Sequence, residues 1–435
     1  MKNIKRSYIF IFILILIFFI SFGASYSILM NKSEHHGKLN IVAGDLNYKI
    51  ESHDLVDNKI TVEAGIVKKI TLTLTSLNEV NSKYELYYTL GTANSNVIVG
   101  YGADTQDNVS GTINADETKT ITLIIDNNSN SSTTVTFGVA GGLMNNVLVL
   151  NEGNNLDKII ATKSLAQDIL DSNDLIDALP TLTDSSNNTT DASGLYKSVA
   201  TNDGSPTYYF RGNVENNYVK FAGFIWRIVR INEDGTIRIV MQDGIYTNGY
   251  NATSSSKENM YYTNSSSKTK LETWYQTNII EKGYSNNIVT GQYFCEQAKV
   301  ALSSDYITSS GANMILYSDY KSPNFRCEDD LNGYGVVEAN IGLLTSDEVI
   351  HAGGYYNSSN SNYYLYNDSI HWWTMSPGGF SGTSAFVWYM SSAGSFGPSY
   401  VANTSRRLRA VLNLKVDIVV TGSGTSGDMY RVINW

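Results

Sequence analysis

The hydrophobic pattern changes character along this chain, and each change predicts a different kind of element. Residues 8–20 form an unbroken apolar run, loosely continued to Met30 and preceded by Lys2, Lys5 and Arg6. Ile, Leu and Phe cover the whole circumference of a helix drawn through it, so an amphipathic surface helix is a poor fit. A basic stretch before an apolar run has the form of an export signal. Two outcomes stay open. Ser25-Tyr26-Ser27 offers small residues for cleavage, whereas residues 8–30 reach the ~20 positions that an uncleaved span requires. In either case the basic flank keeps the N-terminus inside and places the chain from Asn31 onward outside.

Between residues 38 and 150 the period becomes two. Ile70-Thr-Leu72-Thr-Leu74, Ile121-Thr-Leu123-Ile-Ile125 and Val135-Thr-Phe137-Gly-Val139 alternate apolar with polar. Alternation means that each strand has one buried and one wet face. Clusters of Asn, Ser, Asp and Gly separate the runs, as at 127–132 and 141–142. Short alternating strands with such turns predict an all-β, Ig-like sandwich.

Residues 151–205 read as a connector: a helix over 156–171, then a polar tract from Thr181 to Ser193 that can bury little. Residues 206–435 are mixed. Val219–Ile231 reads as one strand, Glu233-Asp234-Gly235 as a turn and Thr236–Met241 as its return. Thr269-Lys-Leu-Glu272 and Thr345-Ser-Asp-Glu348 have the form of capping boxes, predicting helices that end near Gly283 and Gly353. A short helix over 294–302 would carry Cys295. Strands are predicted at 371–376, 385–390 and 407–415.

Composition narrows the function. Asp plus Glu total 41 against 31 Lys plus Arg, for a net charge of −10. An acidic chain without a basic block does not suit phosphate backbones, which argues against nucleic-acid binding. All six Trp lie in residues 206–435, as do Cys295 and Cys327, the two cysteines of the chain. Outside the cell two such thiols pair readily, so a Cys295–Cys327 disulfide is expected.

Four motifs of the C-terminal part occur in order: Phe221-Ala-Gly-Phe-Ile-Trp-Arg-Ile-Val-Arg-Ile-Asn-Glu-Asp-Gly-Thr-Ile-Arg-Ile-Val240, Leu343-Leu-Thr-Ser-Asp-Glu348, Trp372-Trp-Thr-Met-Ser-Pro377 and Arg409-Ala-Val-Leu-Asn-Leu-Lys415. Together they resemble an uncharacterised family of Gram-positive secreted and surface proteins. The resemblance implies a C-type-lectin-like α+β fold, akin to formylglycine-generating enzymes. The stretch Arg407-Leu-Arg-Ala410 departs from the family's Gly-Val-Arg-Pro and puts the local turn in question. More loosely, Gly37-Lys-Leu-Asn-Ile-Val-Ala-Gly-Asp-Leu-Asn47 resembles the mature start of camelysin and the spore-coat-associated biofilm-fibre proteins. The fold expected is therefore a membrane-anchored two-domain protein, with a sandwich at 38–150 and a lectin-like domain at 206–435.

Most chemical signatures fail. His-Glu-x-x-His is absent, so peptidase activity does not follow from the second resemblance. Gly422-Ser-Gly-Thr-Ser-Gly427 has too little chain after it for a dinucleotide fold and reads as a turn. Cys295 and Cys327 do not match the close, C-terminal pair of formylglycine-generating enzymes, and the calcium triplets of sugar-binding lectins are missing. Glu328-Asp-Asp330 with Asn332 offers oxygen ligands but reads more simply as a solvated loop. No catalytic residue, metal site or cofactor is assigned. The segment 378–403 carries no acidic or basic residue and is rich in Gly, Ser, Tyr and Phe, as adaptable binding loops are. Tyr389, Phe396 and Tyr400 are its candidate ligand-binding residues, with Trp388 assigned to the core; of Trp372 and Trp373, strand neighbours on opposite faces, at most one is expected to line the core. The function expected is surface-displayed recognition or adhesion, with a glycan or protein ligand and residues 8–30 in the membrane. A structural envelope or biofilm-matrix protein is the alternative, and an extracellular enzyme the third reading.

Overall fold

The computed structural model describes residues 46–102, 108–144, 153–180, 182, 191–298, 323–330, 333–356, 358–381 and 383–434, with the backbone of 314–316. The apolar segment 8–30 and most of the polar tract lie outside these residues. Among the described residues no helix is long and apolar enough to cross a membrane. The chain divides into two units, the first running to Thr162 and the second spanning Lys163–Asn434. Both are built mainly of strands.

The first unit is β-sandwich-like. One sheet is centred on Val67–Ser76, which pairs with Tyr48–Glu51 and Thr118–Asn127; the latter pairs in turn with Val97–Gly102. The other sheet places Thr133–Leu143 between Lys59–Val62 and Ser82–Leu90. Period-two alternation does what it predicts: Ile70, Leu72 and Leu74 are buried while Thr71, Thr73 and Thr75 point outward. Two polar contacts tie the sheets. Tyr48 donates its hydroxyl to Ser82 Oγ at 2.7 Å, and Asn127 donates Nδ2 to the Val62 carbonyl at 2.9 Å.

The stretch read as a connector is built into the units instead. Ile159–Ile160 adds to the edge of Val97–Gly102. Of the predicted helix 156–171 only Leu165–Asp171 is helical, and it seats Leu165 and Ile169 in the core of the second unit. Gly194–Ser198 is a strand of that unit, paired with Thr207–Arg211.

In the second unit the predicted strand 219–231 is two strands. Tyr218–Phe221 and Phe224–Ile231 form a hairpin turned by Ala222 and Gly223, both with positive φ (52° and 81°). A two-residue turn of that hand matches the twist of its strands, and glycine accepts it without strain. The following turn is as predicted and leads into Ile237–Met241, which pairs with Val411–Leu414. A second sheet orders Ile245–Thr247, Arg407–Leu408, Trp372–Ser381, Ala385–Met390 and Phe396–Tyr400. At the questioned Arg409-Ala410 the chain leaves one sheet for the other. Buried Arg409 fixes that step by donating to the carbonyls of Met241 and Leu365 at 2.9 and 2.8 Å.

Three further expectations are corrected. Phe294 and Cys295 belong to a strand, Gln292–Cys295, paired with Val336–Ala339, and not to a helix. The helix expected to start at Thr269 starts at Ser266, because Ser265 is the N-cap and accepts from the Lys268 amide. Trp372 and Trp373 are both buried, although strand neighbours point to opposite faces, because that sheet is covered on both sides here. Gly422-to-Gly427 is a turn, between Val419–Thr421 and Tyr430–Asn434.

Candidate functional site

The second unit contains a cleft of about 610 Å³. Its floor begins with an unfavourable pair. Arg230 and Arg238 stand directly opposite each other on neighbouring antiparallel strands, a placement that destabilises a sheet when charges are alike. A carboxylate resolves it. Glu348 Oε1 lies 2.6 Å from Arg238 Nε and 3.3 Å from Arg230 Nε, and Glu233 Oε2 takes Arg230 Nη1 at 2.9 Å. Arg238 and Glu348 are each 3 % exposed as side chains, so the pair sits where charge is costly unless matched. Burial lowers the Arg238 guanidinium to about 10, with Glu348 opposing that fall.

Glu348 can face the arginines because its helix holds it there. In Ser346–Ala352 the Thr345 hydroxyl accepts from the Glu348 amide at 3.1 Å, and the Thr345 amide donates to Glu348 Oε2 at 2.9 Å. The capping box read from the sequence is therefore present, and its second carboxylate oxygen reaches the cleft. Ser346 is anchored in turn through its amide to Ser376 Oγ at 2.8 Å. Aromatic rings back both guanidiniums: Phe294 lies 4.7 Å from that of Arg238 and Phe325 lies 4.8 Å from that of Arg230.

The opposite wall is covalently stapled. Cys295 and Cys327 are joined in a disulfide, as expected, with their Cα atoms 5.6 Å apart. This ties down the segment with Asn324, Phe325 and Arg326, whose Phe325 ring lies against Arg230. Secondary ties are the Phe325 amide on the Ala200 carbonyl, the Asn324 amide on Asp347 Oδ2 and Asn202, which both donates to and accepts from the Cys327 backbone. Phe325 stacks on buried His351 with ring centroids 4.2 Å apart. At the rim, Tyr293 is 72 % exposed beside half-exposed Val336.

The three residues chosen from the sequence do not line this cleft, and they do not converge. In Ala385–Met390 and Phe396–Tyr400 the register pairs Phe386 with Tyr400, Tyr389 with Gly397 and Met390 with Phe396. Alternation then puts Phe396 and Tyr400 on one face and Tyr389 on the other. As a candidate ligand-binding residue, Phe396 would need to reach solvent. It is 1 % exposed and stacks on buried Trp388 at 4.8 Å. Tyr389 is half-buried under the Arg406 guanidinium, 3.9 Å from its ring. Tyr400 is exposed and packs on Phe386. Absence of charge marked an apolar strand pair as well as it marks a binding loop.

Within the acidic stretch 328–330, Asp330 is tied up locally. Asp330 accepts from the Tyr261 hydroxyl at 2.7 Å and from the Tyr334 amide at 3.0 Å, and Asn332 lies outside the described residues. Among the described residues no group of His, Cys, Asp or Glu is placed to hold a metal ion. The sequence signal that did mark the real cleft was the capping box, read then only as a helix start. Compared with known proteins, the chain matches no family model, no curated protein and no solved structure.

Proposed function

We propose that this chain is a surface-displayed recognition protein, with an Ig-like sandwich as stalk and a C-type-lectin-like head that takes its ligand in the cleft. The observation that carries this reading is the cleft itself. It is a concavity of about 610 Å³, within the size range of small-ligand sites and combining apolar walls with a few fixed polar groups. Its ion network and its disulfide-held wall are fixed by partners within the fold, so little ordering is left to oppose binding. Residues 8–30 serve as anchor, or are removed after export, and leave both units outside the cell. The ligand is a glycan or a protein on a neighbouring surface.

Two experiments test the reading. Protease added to intact cells should digest both units; protection of residues 163–434 overturns the placement. The full chain, displayed on cells, should be retained by members of an immobilised glycan and protein panel. Tyr293→Ala, at a rim position whose side chain is largely in solvent, should weaken that retention severalfold. Retention by no panel member, with the chain assembling into filaments, favours the envelope or matrix role instead.

A further inference from the structure

The cleft is lopsided in charge. Among its described lining residues, carboxylates outnumber guanidiniums five to three. Two of the three cations are already neutralised within the fold, Arg238 by Glu348 and Arg230 by Glu348 and Glu233. Asp203 and Asp234, by contrast, bond neutral donors: Asp203 accepts from Ser205, and Asp234 from the amide and hydroxyl of Thr236. The Ser205 bonds hold the Asp203 carboxyl below its usual range, so it carries charge throughout the neutral region. An anionic ligand would meet net repulsion here.

A second observation, independent of charge, concerns hydrogen-bond polarity. Asn232 lines the cleft and is 8 % exposed. Its Nδ2 donates to Thr236 Oγ1 at 2.8 Å, but its buried Oδ1 has no hydrogen-bond partner among the described residues. Buried acceptors without a donor are rare in folded proteins, and one in a cavity wall fits an occupant that brings the donor. Phe294, Phe325, Val289 and Pro377 add apolar stretches of wall between polar residues such as Gln292, Gln297, Asn324 and Ser376. Such surface suits a methylene stem ending in a polar head. The exposed ring of Tyr293 stands at the mouth, where a passing cation is attracted to its face.

We propose that the cleft binds the lysine or arginine side chain of a basic protein segment. The stem lies against Phe294 and Phe325, and the cationic head donates to Asn232 Oδ1 and the aspartates. This rests on reading the cleft as the ligand site. An amino sugar offers the same ammonium group but no methylene stem to lie against Phe294 and Phe325.

The test uses the full chain and titrates it with acetylated tetra-arginine amide, with the uncharged tetra-citrulline analogue and with a glucosamine tetramer. Tetra-arginine should bind, citrulline about tenfold more weakly or not at all, and added salt should weaken binding. The isosteric double variant Asp203→Asn, Asp234→Asn should lose about tenfold in affinity, with unchanged circular dichroism; if the double variant misfolds, Asp203→Asn alone should lose severalfold. Asp417→Asn, exposed and outside the cleft, should bind like wild type. Equal binding of citrulline, or an equal loss in Asp417→Asn, overturns the proposal as general charge attraction. Tighter binding of glucosamine overturns it in favour of an amino sugar. Failure of tetra-arginine while another panel ligand is retained in a Tyr293-dependent way overturns this inference and leaves the recognition reading standing. Failure of every probe removes both.

Discussion

Arg238 Nε and Glu348 Oε1 lie 2.6 Å apart with both side chains 3 % exposed, and this contact joins the strand floor of the cleft to the helix beside it. Glu348 does three things at once: it caps its own helix, neutralises Arg238 and separates Arg238 from Arg230. Glu348→Gln keeps the shape but leaves two facing arginines without that carboxylate. Removing one partner of a buried pair costs about 3–5 kcal/mol, so the urea midpoint should fall sharply. Arg238→Met should cost less, because Glu348 keeps Arg230 and the Thr345 amide. If both variants lose the same stability, the network is not organised as described.

The disulfide is the next point of leverage. Cys295→Ser with Cys327→Ser frees the segment that carries Asn324, Phe325 and Arg326. Closing a loop of this length contributes roughly 3–4 kcal/mol in the chain-entropy model, and the double variant should lose a comparable amount. Alkylation of the denatured, unreduced chain should add no mass, and alkylation after reduction should add two groups. Two groups without reductant would refute the bond.

The sequence was informative wherever one physical cause dominated. Alternation located the strands of the first unit because each has one wet face: Ile70, Leu72 and Leu74 go in, and the threonines between them stay out. The Thr345 box was equally plain, being local chemistry, and so was the pairing of Cys295 with Cys327, the two cysteines of the chain. The second unit hid more. Strand Trp372–Ser381 is buried on both faces, so its pattern carries no period and both tryptophans are core. The Ala222-Gly223 turn was read through because apolar residues continue on both sides of it. Arg230, Arg238 and Glu348 meet only through tertiary structure, and no spacing in the chain announces that a strand pair and a distant helix share one carboxylate.

Glu296 gives the fold a pH dependence of a definite sign. It is 3 % exposed, and burial raises its carboxyl above the ordinary 4.5, with the Thr263 amide and hydroxyl only partly opposing this. The folded state therefore holds its proton in a window just above pH 4.5 where the unfolded chain has released it. Stability contributed by this group is present below that window and declines as pH rises through it. Glu296→Gln cannot titrate, so across urea titrations from pH 4.5 to 8 the variant should gain on wild type as pH rises. A wild type that gains on the variant instead would mean that the Thr263 bonds outweigh burial.

Phe396 and Tyr400 share one strand face yet should respond oppositely to truncation. Phe396 is 1 % exposed, paired across the sheet with Met390 and stacked on Trp388, so Phe396→Ala opens a cavity in the second sheet. Losing a core phenylalanine costs about 3–5 kcal/mol, a loss that urea unfolding resolves easily. Tyr400 is 53 % exposed and rests on Phe386; surface truncations usually stay within about 0.5 kcal/mol, with somewhat more expected here for the ring contact. Tyr389→Ala should fall between them, since it uncovers the Arg406 guanidinium. None of the three lines the cleft, so a folded Tyr400→Ala variant should retain every ligand that wild type retains. Loss of binding in that variant without loss of stability would move the recognition surface from the cleft to the outer strand pair.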